Sequence, residues 1–392
     1  MYVHVPFCAS RCGYCDFVTY TAGELGGSQL QAAYADAAIA EVRLAAATLG
    51  VDRPPVSTVL FGGGTPTLLP PRDLIRVLEA VGDAFGMTYD VEVSIEANPD
   101  SVDAASLAEL REGGFTRISF GMQSVRRHVL AVLERTHTPG RAHAAVREAH
   151  AAGFEHVNLD LMYGTPGETD DDWDATITAA LDAGPDHISA YALTIEPRTR
   201  LGAQVRHGRV PSPDDDVQAR RYVQVDERLA AAGFDWYEVS NWARGRDARC
   251  RHNLLYWHND HWWGIGPGAH SHVGGTRWWN VRHPARYAEL VASSTLPIDG
   301  HERCTPAERE LEAVLLGLRL AEGFDLNAYP DLAKSAASAI PDLLDEGLLY
   351  PDAWKTSARL ALTRPGRLLT DSVITRLFAD APRGARGCVA TP

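Results

Sequence analysis

Lysine is nearly absent from this 392-residue sequence, which contains 35 arginines and only two lysines. We attribute that skew to genome composition and not to function. No run of eighteen apolar residues occurs either, so no transmembrane helix is predicted. The net charge of −14 argues against a wide nucleic-acid surface, because such surfaces need clustered positive charge. With 45% hydrophobic residues, the chain is long enough for two or three globular domains.

Cysteine is also rare, yet three of the six cysteines lie within eight residues. No signal peptide precedes them, so we expect a cytoplasmic protein with reduced thiols and at most a peripheral membrane association. A disulfide framework does not fit that compartment, and the spacing of Cys8, Cys12 and Cys15 indicates a metal site. Three thiolates can hold three irons of a cubane cluster and leave the fourth iron without a protein ligand. Tetrahedral zinc, with His4 as the fourth ligand, is the alternative.

The first two hundred residues alternate β-rich runs with helical stretches. The predicted strands are Tyr2–Phe7, Ser57–Phe61, Val91–Ala97, Arg117–Met122, His156–Met162 and His187–Leu193. The predicted helices between them are Gln29–Thr48, Pro71–Phe85, Arg141–Ala152 and Asp170–Ala183. This alternation predicts an α/β fold, a partial (β/α)6 TIM-like barrel with functional residues at the carboxyl ends of its strands. A flat doubly wound sheet is the alternative.

Changes in composition divide the chain into four predicted regions. The barrel covers residues 1–205, and an α+β region rich in Trp and His, starting with a helix at 214–232, covers 206–290. Residues 291–380 predict a small winged-helix-like domain, and residues 381–392 predict a loose tail. The predicted elements of the small domain are the helices Pro306–Leu320, Leu332–Glu346 and Leu368–Phe378, and a hairpin of Leu348–Tyr350 with Arg359–Leu362.

The cysteine motif Cys8-Ala-Ser-Arg-Cys12-Gly-Tyr-Cys15 resembles the signature of radical S-adenosylmethionine (radical SAM) proteins. The run Phe61-Gly-Gly-Gly-Thr-Pro66 strengthens the resemblance, because glycines there let the backbone approach the methionyl part of SAM. The resemblance implies a [4Fe-4S] cluster on the three cysteines, with SAM chelating the open iron. In this family, an electron from the cluster cleaves SAM to a 5′-deoxyadenosyl radical.

Further motifs narrow the resemblance to the oxygen-independent coproporphyrinogen oxidase group. They are Tyr2-Val-His-Val-Pro-Phe-Cys8, Ile95-Glu-Ala-Asn-Pro99, Ser119-Phe-Gly-Met-Gln-Ser124, Asp160-Leu-Met-Tyr-Gly164 and Ala190-Tyr-Ala-Leu193. The resemblance implies contacts to SAM from Tyr2, Tyr14, Gly63, Gly64, Thr65, Glu96, Gln123, Arg135 and Asp160. Carboxylates suit the ribose hydroxyls or the ammonium group of SAM, and arginine suits its carboxylate.

Two features separate the oxidases of this group from its HemW-type haem chaperones. The oxidases have a further cysteine two positions after the third, where this chain has Phe17. The motif His252-Asn-Leu-Leu-Tyr-Trp257 resembles the H-N-x-x-Y-W motif of the chaperones. The resemblance therefore implies haem binding and haem delivery to respiratory or other haem proteins. A coproporphyrinogen III oxidase and another radical SAM enzyme are the alternatives. Whether SAM is cleaved, and whether the chain forms a homodimer, stay open.

His252 is the predicted axial ligand of the haem iron, because a neutral imidazole commonly fills that role. It lies in the segment from Trp236 to Leu290, which contains seven of the nine tryptophans and carries a local charge of +3. Arg249, Arg251 and Arg277 are candidates to pair with the haem propionates.

Other residues of this part of the chain have smaller predicted roles. Cys250 is an alternative iron ligand. The loop at 264–271 resembles a family loop that closes over SAM, and we expect its backbone to act there and not the side chain of His270. Cys304 and Cys388 are predicted to be incidental.

Overall fold

The structure is a computed structural model, and it describes residues 1–378. Cys388 and the predicted tail lie outside the described residues, as do the last two residues of the predicted C-terminal domain. Within residues 1–378, no helix is both long enough and apolar enough to cross a membrane.

A nine-stranded sheet forms the main body of the fold. Its strands are β1 (Tyr2–Val5), β2 (Val56–Gly63), β3 (Met87–Ala97), β4 (Arg117–Gln123), β5 (His156–Tyr163), β6 (His187–Ala192), β7 (Asp235–Glu238), β8 (Asn241–Ala243) and β9 (Gly264–Ile265). Strands β1 to β6 are parallel and follow one another in chain order, with β9 beside β1 and the antiparallel β8 and β7 beyond β6. A doubly wound sheet would reverse its order at a switch point, so that alternative is wrong. The predicted α/β fold is confirmed.

Eleven helices connect or flank these strands. They are α1 (Gln29–Ala32), α2 (Tyr34–Leu49), α3 (Pro71–Phe85), α4 (Ala104–Glu112), α5 (Arg127–Val132), α6 (Arg141–Ala152), α7 (Asp170–Ala183), α8 (Arg200–Arg206), α9 (Asp215–Ala231), α10 (Arg251–Trp257) and α11 (Pro284–Ala292). Helices α3, α6 and α7 have the predicted bounds, since their apolar residues recur every three or four positions and pack on the sheet. The single helix predicted at 29–48 is wrong. The chain forms two helices there, and the second, α2, begins at Tyr34. The Tyr34 side chain is buried against β1, and its hydroxyl donates to the His4 carbonyl at 2.6 Å.

A three-stranded antiparallel sheet follows β9. It consists of β10 (His270–Val273), β11 (Thr276–Asn280) and β12 (Ile298–Arg303), with β11 in the centre. One face of this sheet joins the main core through Trp278, whose ring centroid lies 4.8 Å from that of Trp263. The other face points away from that core, because side chains alternate along a strand.

The C-terminal residues pack around an apolar core of their own, which includes Val314, Leu343 and Leu377. Its elements are α12 (Pro306–Gly317), β13 (Phe324–Asp325), α13 (Pro330–Ala336), α14 (Ile340–Asp345), α15 (Pro351–Ser357), β14 (Arg359–Leu360), α16 (Arg364–Leu368) and α17 (Thr370–Leu377). The domain boundaries and the winged-helix description stay predictions.

One predicted helix of this domain is wrong, and two other predicted elements are present with altered bounds. The helix predicted at 332–346 is two helices, because Pro341 fits the first turn of a new helix but not the interior of a continuing one. The helix predicted at 368–378 is present as α17, which begins two residues later because Leu369 separates it from the short α16. The predicted hairpin-like pairing is present as one antiparallel bridge between Leu349 and Leu362, with the Tyr350 amide donating to the Ala361 carbonyl at 2.9 Å. Helix α15 connects the two segments, and β14 pairs in addition with β13.

An arginine pair joins this domain to the main body. Arg367 donates to Asp226 on α9 at 3.0 Å, and its guanidinium lies 4.2 Å from the ring centroid of Trp236. Arg364 donates to the same carboxylate at 2.8 Å. The buried carboxylate of Asp226 therefore fixes the domain against the edge of the sheet that carries β7 and β8.

Candidate functional site

A cavity of about 580 Å³ opens at the carboxyl ends of the parallel strands. The segment after β1, the turn after β2 and inward-facing residues of β3 to β6 build most of its wall, and Asn241, Cys250 and Asn253 line its inner end. Eleven of the thirteen residues that the sequence predicts for cluster, SAM and haem line it, namely Cys8, Cys12, Tyr14, Cys15, Gly63, Gly64, Thr65, Glu96, Gln123, Arg135 and Asp160. The other two, Tyr2 and His252, lie outside the wall. The fold thus gathers residues that are up to about 150 positions apart in the sequence into one cavity.

The three cysteines lie on one segment, residues 6–20, which we call the cysteine loop. All three are free thiols facing the cavity. The loop is pinned at both ends and in the middle by backbone hydrogen bonds. The Cys8 amide donates to the Tyr20 carbonyl at 3.0 Å, and the Gly13 amide donates to the Leu133 carbonyl at 3.1 Å. The neighbouring elements therefore hold the thiols in place.

The structure speaks against the zinc alternative with His4. Its Nδ1 lies 2.9 Å from the Tyr2 hydroxyl and its Nε2 lies 2.8 Å from the Val18 carbonyl, so both ring nitrogens are engaged. In the described part of the chain, no three His, Cys, Asp or Glu side chains are close enough together to hold one metal ion, whereas a cubane cluster places each thiolate on a different iron. Burial raises the pKa of Cys8, and that of Cys15 to about 11, so a metal displaces thiol protons when it binds. Three thiols without a fourth ligand fit an iron–sulfur cluster with one open iron.

Two glycines at the end of β2 pack against β1 and the first residues of the cysteine loop. The Gly64 amide donates to the Val5 carbonyl at 2.8 Å, and a Cβ at Gly64 would lie 2.5 Å from the Phe7 carbonyl oxygen. Gly63 has φ of 106°, and a Cβ there would lie 2.5 Å from the ring of His4. The glycines are therefore required for the turn to approach the loop, whatever ligand the cavity holds.

Two buried carboxyl groups lie in the wall of the cavity. Burial raises the pKa of Glu96 to about 7, with the charge of Asp160 adding to the effect and a 3.1 Å hydrogen bond from the Gly63 amide opposing it. Burial also raises the pKa of Asp160, which accepts from Ser119 Oγ at 2.9 Å and Asn158 Nδ2 at 2.8 Å. A cationic ligand group beside them would favour their ionised forms.

Arg135 and Gln123 leave polar atoms unsatisfied beside this wall. Arg135 Nη2 donates to the Gly121 carbonyl at 2.9 Å and Nη1 lies 3.6 Å from the Cys12 sulfur. Within residues 1–378, its Nε and the Oε1 of Gln123 are buried without a hydrogen-bond partner. Gln123 also has a positive φ of 63°. Buried orphan atoms and local strain of this kind fit a site for a polar ligand that carries both a carboxylate and an ammonium group.

His252 lies at the opposite end of the strands, near their amino termini. Its side chain is fully buried, with Nδ1 2.8 Å from Thr58 Oγ1 and Nε2 2.9 Å from the Tyr256 hydroxyl. Its amide donates to the Glu92 carboxylate at 2.9 Å. Glu92 in turn pairs with the buried Arg117 at 3.1 Å. The motif that includes His252 therefore closes the amino end of the sheet, and both ring nitrogens that could ligate iron are engaged.

The arginines predicted to pair with propionates have partners inside the protein. Arg251 pairs with Asp90 at 3.0 Å, and Arg277 pairs with Glu312 and Glu302. The guanidinium of Arg249 lies 5.6 Å from the ring centroid of Tyr237. Pairing of these arginines with haem propionates stays a prediction, although the tertiary structure gives Arg251 and Arg277 carboxylate partners that the local sequence does not contain.

The remaining singled-out residues are placed as follows. Phe17 is 60% exposed at the mouth of the cavity. Burial raises the pKa of Cys250 to about 12, its thiol lies 3.6 Å from a Glu92 oxygen, and the residue lines the inner end of the cavity. Cys304 is buried near Arg277. The loop that contains His270 pairs with β1 through Gly264 and adds none of the described residues to the cavity wall.

A buried polar chain that the sequence reasoning missed runs from the cavity toward His252. Asn158 donates to Asp160, and its own Oδ1 lies 2.7 Å from His187 Nδ1. The other ring nitrogen of His187 lies 2.8 Å from the Tyr237 hydroxyl, which accepts from the Cys250 amide at 3.3 Å. Strand alternation could have revealed Asn158, because it is two positions from Asp160 and shares its face.

Comparisons with known proteins agree with this geometry. Residues 2–180 match the family described as the radical SAM superfamily. The protein named "Heme chaperone HemW" from Mycobacterium tuberculosis is 52% identical over 380 residues, which are 96% of this chain and 94% of that protein. The protein of the same name from Bacillus subtilis is 33% identical, covering 97% of this chain and 99% of that one.

One solved structure shares the whole fold. It is described as coproporphyrinogen III oxidase (HemN) from Escherichia coli, a radical SAM enzyme, with a TM-score of 0.79 and 22% identity. The match covers 97% of this chain and 89% of that one. At 22% identity, the likeness to this structure shows the fold alone. The 52% identity with the protein from Mycobacterium tuberculosis shows the family. The chain therefore belongs to the HemW family of radical SAM proteins.

Proposed function

We propose that this protein is a haem chaperone, which binds haem and delivers it to respiratory or other haem proteins. The observation that carries the proposal is the 52% identity, along nearly the full length of both chains, with a protein named for that role. Phe17 supports it, because the position lacks the additional cysteine of the oxidases. Cytoplasmic location, peripheral membrane association and a homodimer stay predictions.

We also propose that the cavity binds a [4Fe-4S] cluster and SAM. Cys8, Cys12 and Cys15 would provide one thiolate to each of three irons, and the bound cluster supplies an open iron and an electron. Asp160 and Glu96 would accept hydrogen bonds from the ribose hydroxyls or the ammonium group of SAM. The unsatisfied Nε of Arg135 would pair with its carboxylate.

The cluster is tested by anaerobic reconstitution followed by iron analysis. About four irons per chain are expected, and Cys12→Ala should lose most of them. Cys304→Ala, which changes a cysteine far from the cysteine loop in sequence, is the control. A full cluster in Cys12→Ala would refute the assignment.

Haem binding is tested by anaerobic titration of the reconstituted protein with haem, with and without SAM. A saturable Soret band is expected, and its absence would contradict the chaperone proposal. Delivery is tested by mixing the loaded protein with the apo form of a respiratory haem enzyme and following its activity. Equal recovery with free haem would also count against the proposal. The predicted ligation of haem by His252 is tested by the same titration of His252→Ala, in which the Soret band should weaken or shift.

A coproporphyrinogen III oxidase is the second candidate, because the fold is similar to that of such an enzyme over 97% of this chain. The two are separated by incubating the reconstituted protein with coproporphyrinogen III, SAM and a reductant. No decarboxylated product is expected. Product formation would favour the oxidase. A different radical SAM enzyme would form no product in this assay, because it would act on another substrate.

A further inference from the structure

The cavity extends beyond the residues that are proposed to contact SAM. It is lined both by Gln123, the last residue of β4, and by Arg117, the first, so it follows about 20 Å of strand. Parallel barrels normally fill this interior with branched apolar side chains. Here the inner end of the cavity is lined by polar side chains and a thiol, namely Ser94, Arg117, His187, Asn241, Cys250 and Asn253. We call these six residues the inner chamber.

The strand register separates the inner chamber from the carboxyl groups proposed for SAM. Ser94 lies beside Arg117, and Glu96 follows Ser94 by two positions toward the carboxyl end of β3. On β6, His187 precedes the residue beside Asp160 by two positions. Side chains two positions apart on a strand share a face. The chamber is therefore one layer of inward-facing residues deeper than Glu96 and Asp160.

Two hydrogen-bond donors of the inner chamber lack a partner. The Arg117 side chain is only 3% exposed, its Nε pairs with Glu92, and its Nη2 donates to the Ala248 and Arg249 carbonyls at 2.8 and 3.1 Å. Its Nη1 and the hydroxyl of Ser94, however, are buried without a hydrogen-bond partner among residues 1–378. A buried guanidinium group and a buried hydroxyl in this state indicate a place for a ligand that accepts hydrogen bonds.

The other polar groups of the chamber are engaged within the protein. Both ring nitrogens of His187 have partners, and the amides of Asn241 and Asn253 donate to the Glu238 carboxylate, which does not itself line the cavity. The carboxylate that pairs with Arg117 also accepts two backbone amides, so its charge is compensated. None of the six chamber residues is acidic. An anionic group that enters the chamber therefore meets unsatisfied donors and no carboxylate in the wall.

A carboxylate has the matching chemistry, because its oxygens accept hydrogen bonds from both guanidinium and hydroxyl groups. We propose that the inner chamber is a second ligand site, which binds a small monocarboxylate through Arg117 Nη1 and the Ser94 hydroxyl. The carbon chain of that ligand extends toward the outer end of the cavity, where SAM is proposed to bind. The site goes beyond the proposed function and does not depend on haem binding.

The test is anaerobic equilibrium dialysis of the reconstituted protein against radiolabelled acetate. We expect saturable binding for which acetamide, similar in shape but uncharged, does not compete. Ser94→Ala should weaken it about tenfold, and Ser94→Val, whose methyl groups take the place of the hydroxyl, should remove it. The matched control is Ser101→Ala, at the outer end of the same cavity, where the hydroxyl already donates to the Asn98 carbonyl at 2.7 Å. This control should bind acetate like the unsubstituted protein.

Addition of SAM to the acetate-loaded protein distinguishes the chamber from the outer end of the cavity. Acetate in the chamber should stay bound, whereas displacement by SAM would place it at Arg135 and overturn the assignment. Absence of saturable binding, or equal affinity in Ser94→Val and Ser101→Ala, would also overturn it. If SAM does not bind, the proposed SAM site falls, while loss of acetate binding in Ser94→Val still supports the chamber. Far-ultraviolet circular dichroism verifies the folding of each variant.

Discussion

The buried ion pair between Glu92 and Arg117 gives a sharp prediction about how the His252 motif is held. The two side chains are only 6% and 3% exposed and lie 3.1 Å apart. The same carboxylate accepts the backbone amides of Arg251 at 3.1 Å and His252 at 2.9 Å. The Glu92 carboxylate therefore accepts the first amides of helix α10. Replacing Glu92 tests whether the His252 motif closes the amino end of the sheet.

Glu92→Ala is expected to lower the free energy of unfolding, because the groups that the carboxylate pairs with lose their partner. Arg117 would stay buried with an uncompensated charge, and breaking such a pair destabilises by about 3–5 kcal/mol. Two amides would also lose their acceptor, although part of that loss overlaps with the first. With a urea dependence of about 3 kcal/mol per molar for a chain of this size, the unfolding midpoint should fall by about 1 M or more.

Urea unfolding followed by tryptophan fluorescence is the assay, because seven of the nine tryptophans lie between Trp236 and Leu290. Glu79→Ala, at an exposed position of α3, is the matched control and should shift the midpoint little. Glu92→Gln keeps an acceptor but removes the charge, so it should fall between the two. A Glu92→Ala midpoint equal to that of Glu79→Ala would refute the assigned role of the ion pair.

Two further predictions concern the cysteine loop and the loop at 264–271. Gly64→Ala should lose cluster iron, because its Cβ would lie 2.5 Å from the Phe7 carbonyl, whereas Gly23→Ala, with no atom closer than 4.0 Å, should keep it. Equal iron contents would contradict this. Glu41 on α2 accepts a hydrogen bond at 2.7 Å from the amide of Gly266 in the loop at 264–271. Burial raises the pKa of Glu41 to about 7, so the folded protein keeps a proton that the unfolded chain loses near pH 4.5. The free energy of unfolding should therefore fall as the pH rises from 4.5 to 7, and Glu41→Gln should remove up to about 3 kcal/mol of that fall. Urea midpoints at pH 5 and 8 measure it, and an unchanged pH dependence in the variant would count against the buried acid.

The elements best predicted from the sequence are those whose pattern is local. Helices α3, α6 and α7 have the predicted bounds because apolar residues recur at helical spacing between clear start and stop signals. The short C-terminal elements were predicted less well. Pairing of β13 with β14 joins residues more than thirty positions apart, and no local pattern specifies such a partner.

The cavity residues were predicted through motifs and not through geometry. The three cysteines are close in sequence, so their spacing alone indicates a shared site. Glu96 and Asp160 are 64 positions apart, and only the parallel order of the strands brings them into one wall. Asn158 and His187, which orient Asp160, were missed because their role depends on a neighbour across the sheet.

The sequence by itself determined the α/β class, the three-thiol donor set and the resemblance to a family, because these depend on periodicity and spacing along the chain. Only the tertiary structure decided which histidine and which arginine are available. His252 is engaged by Thr58 and Tyr256, and Arg251 and Arg277 are neutralised by carboxylates from other segments. Whether a side chain can bind a ligand depends on what the folded chain places next to it, and that information is not local.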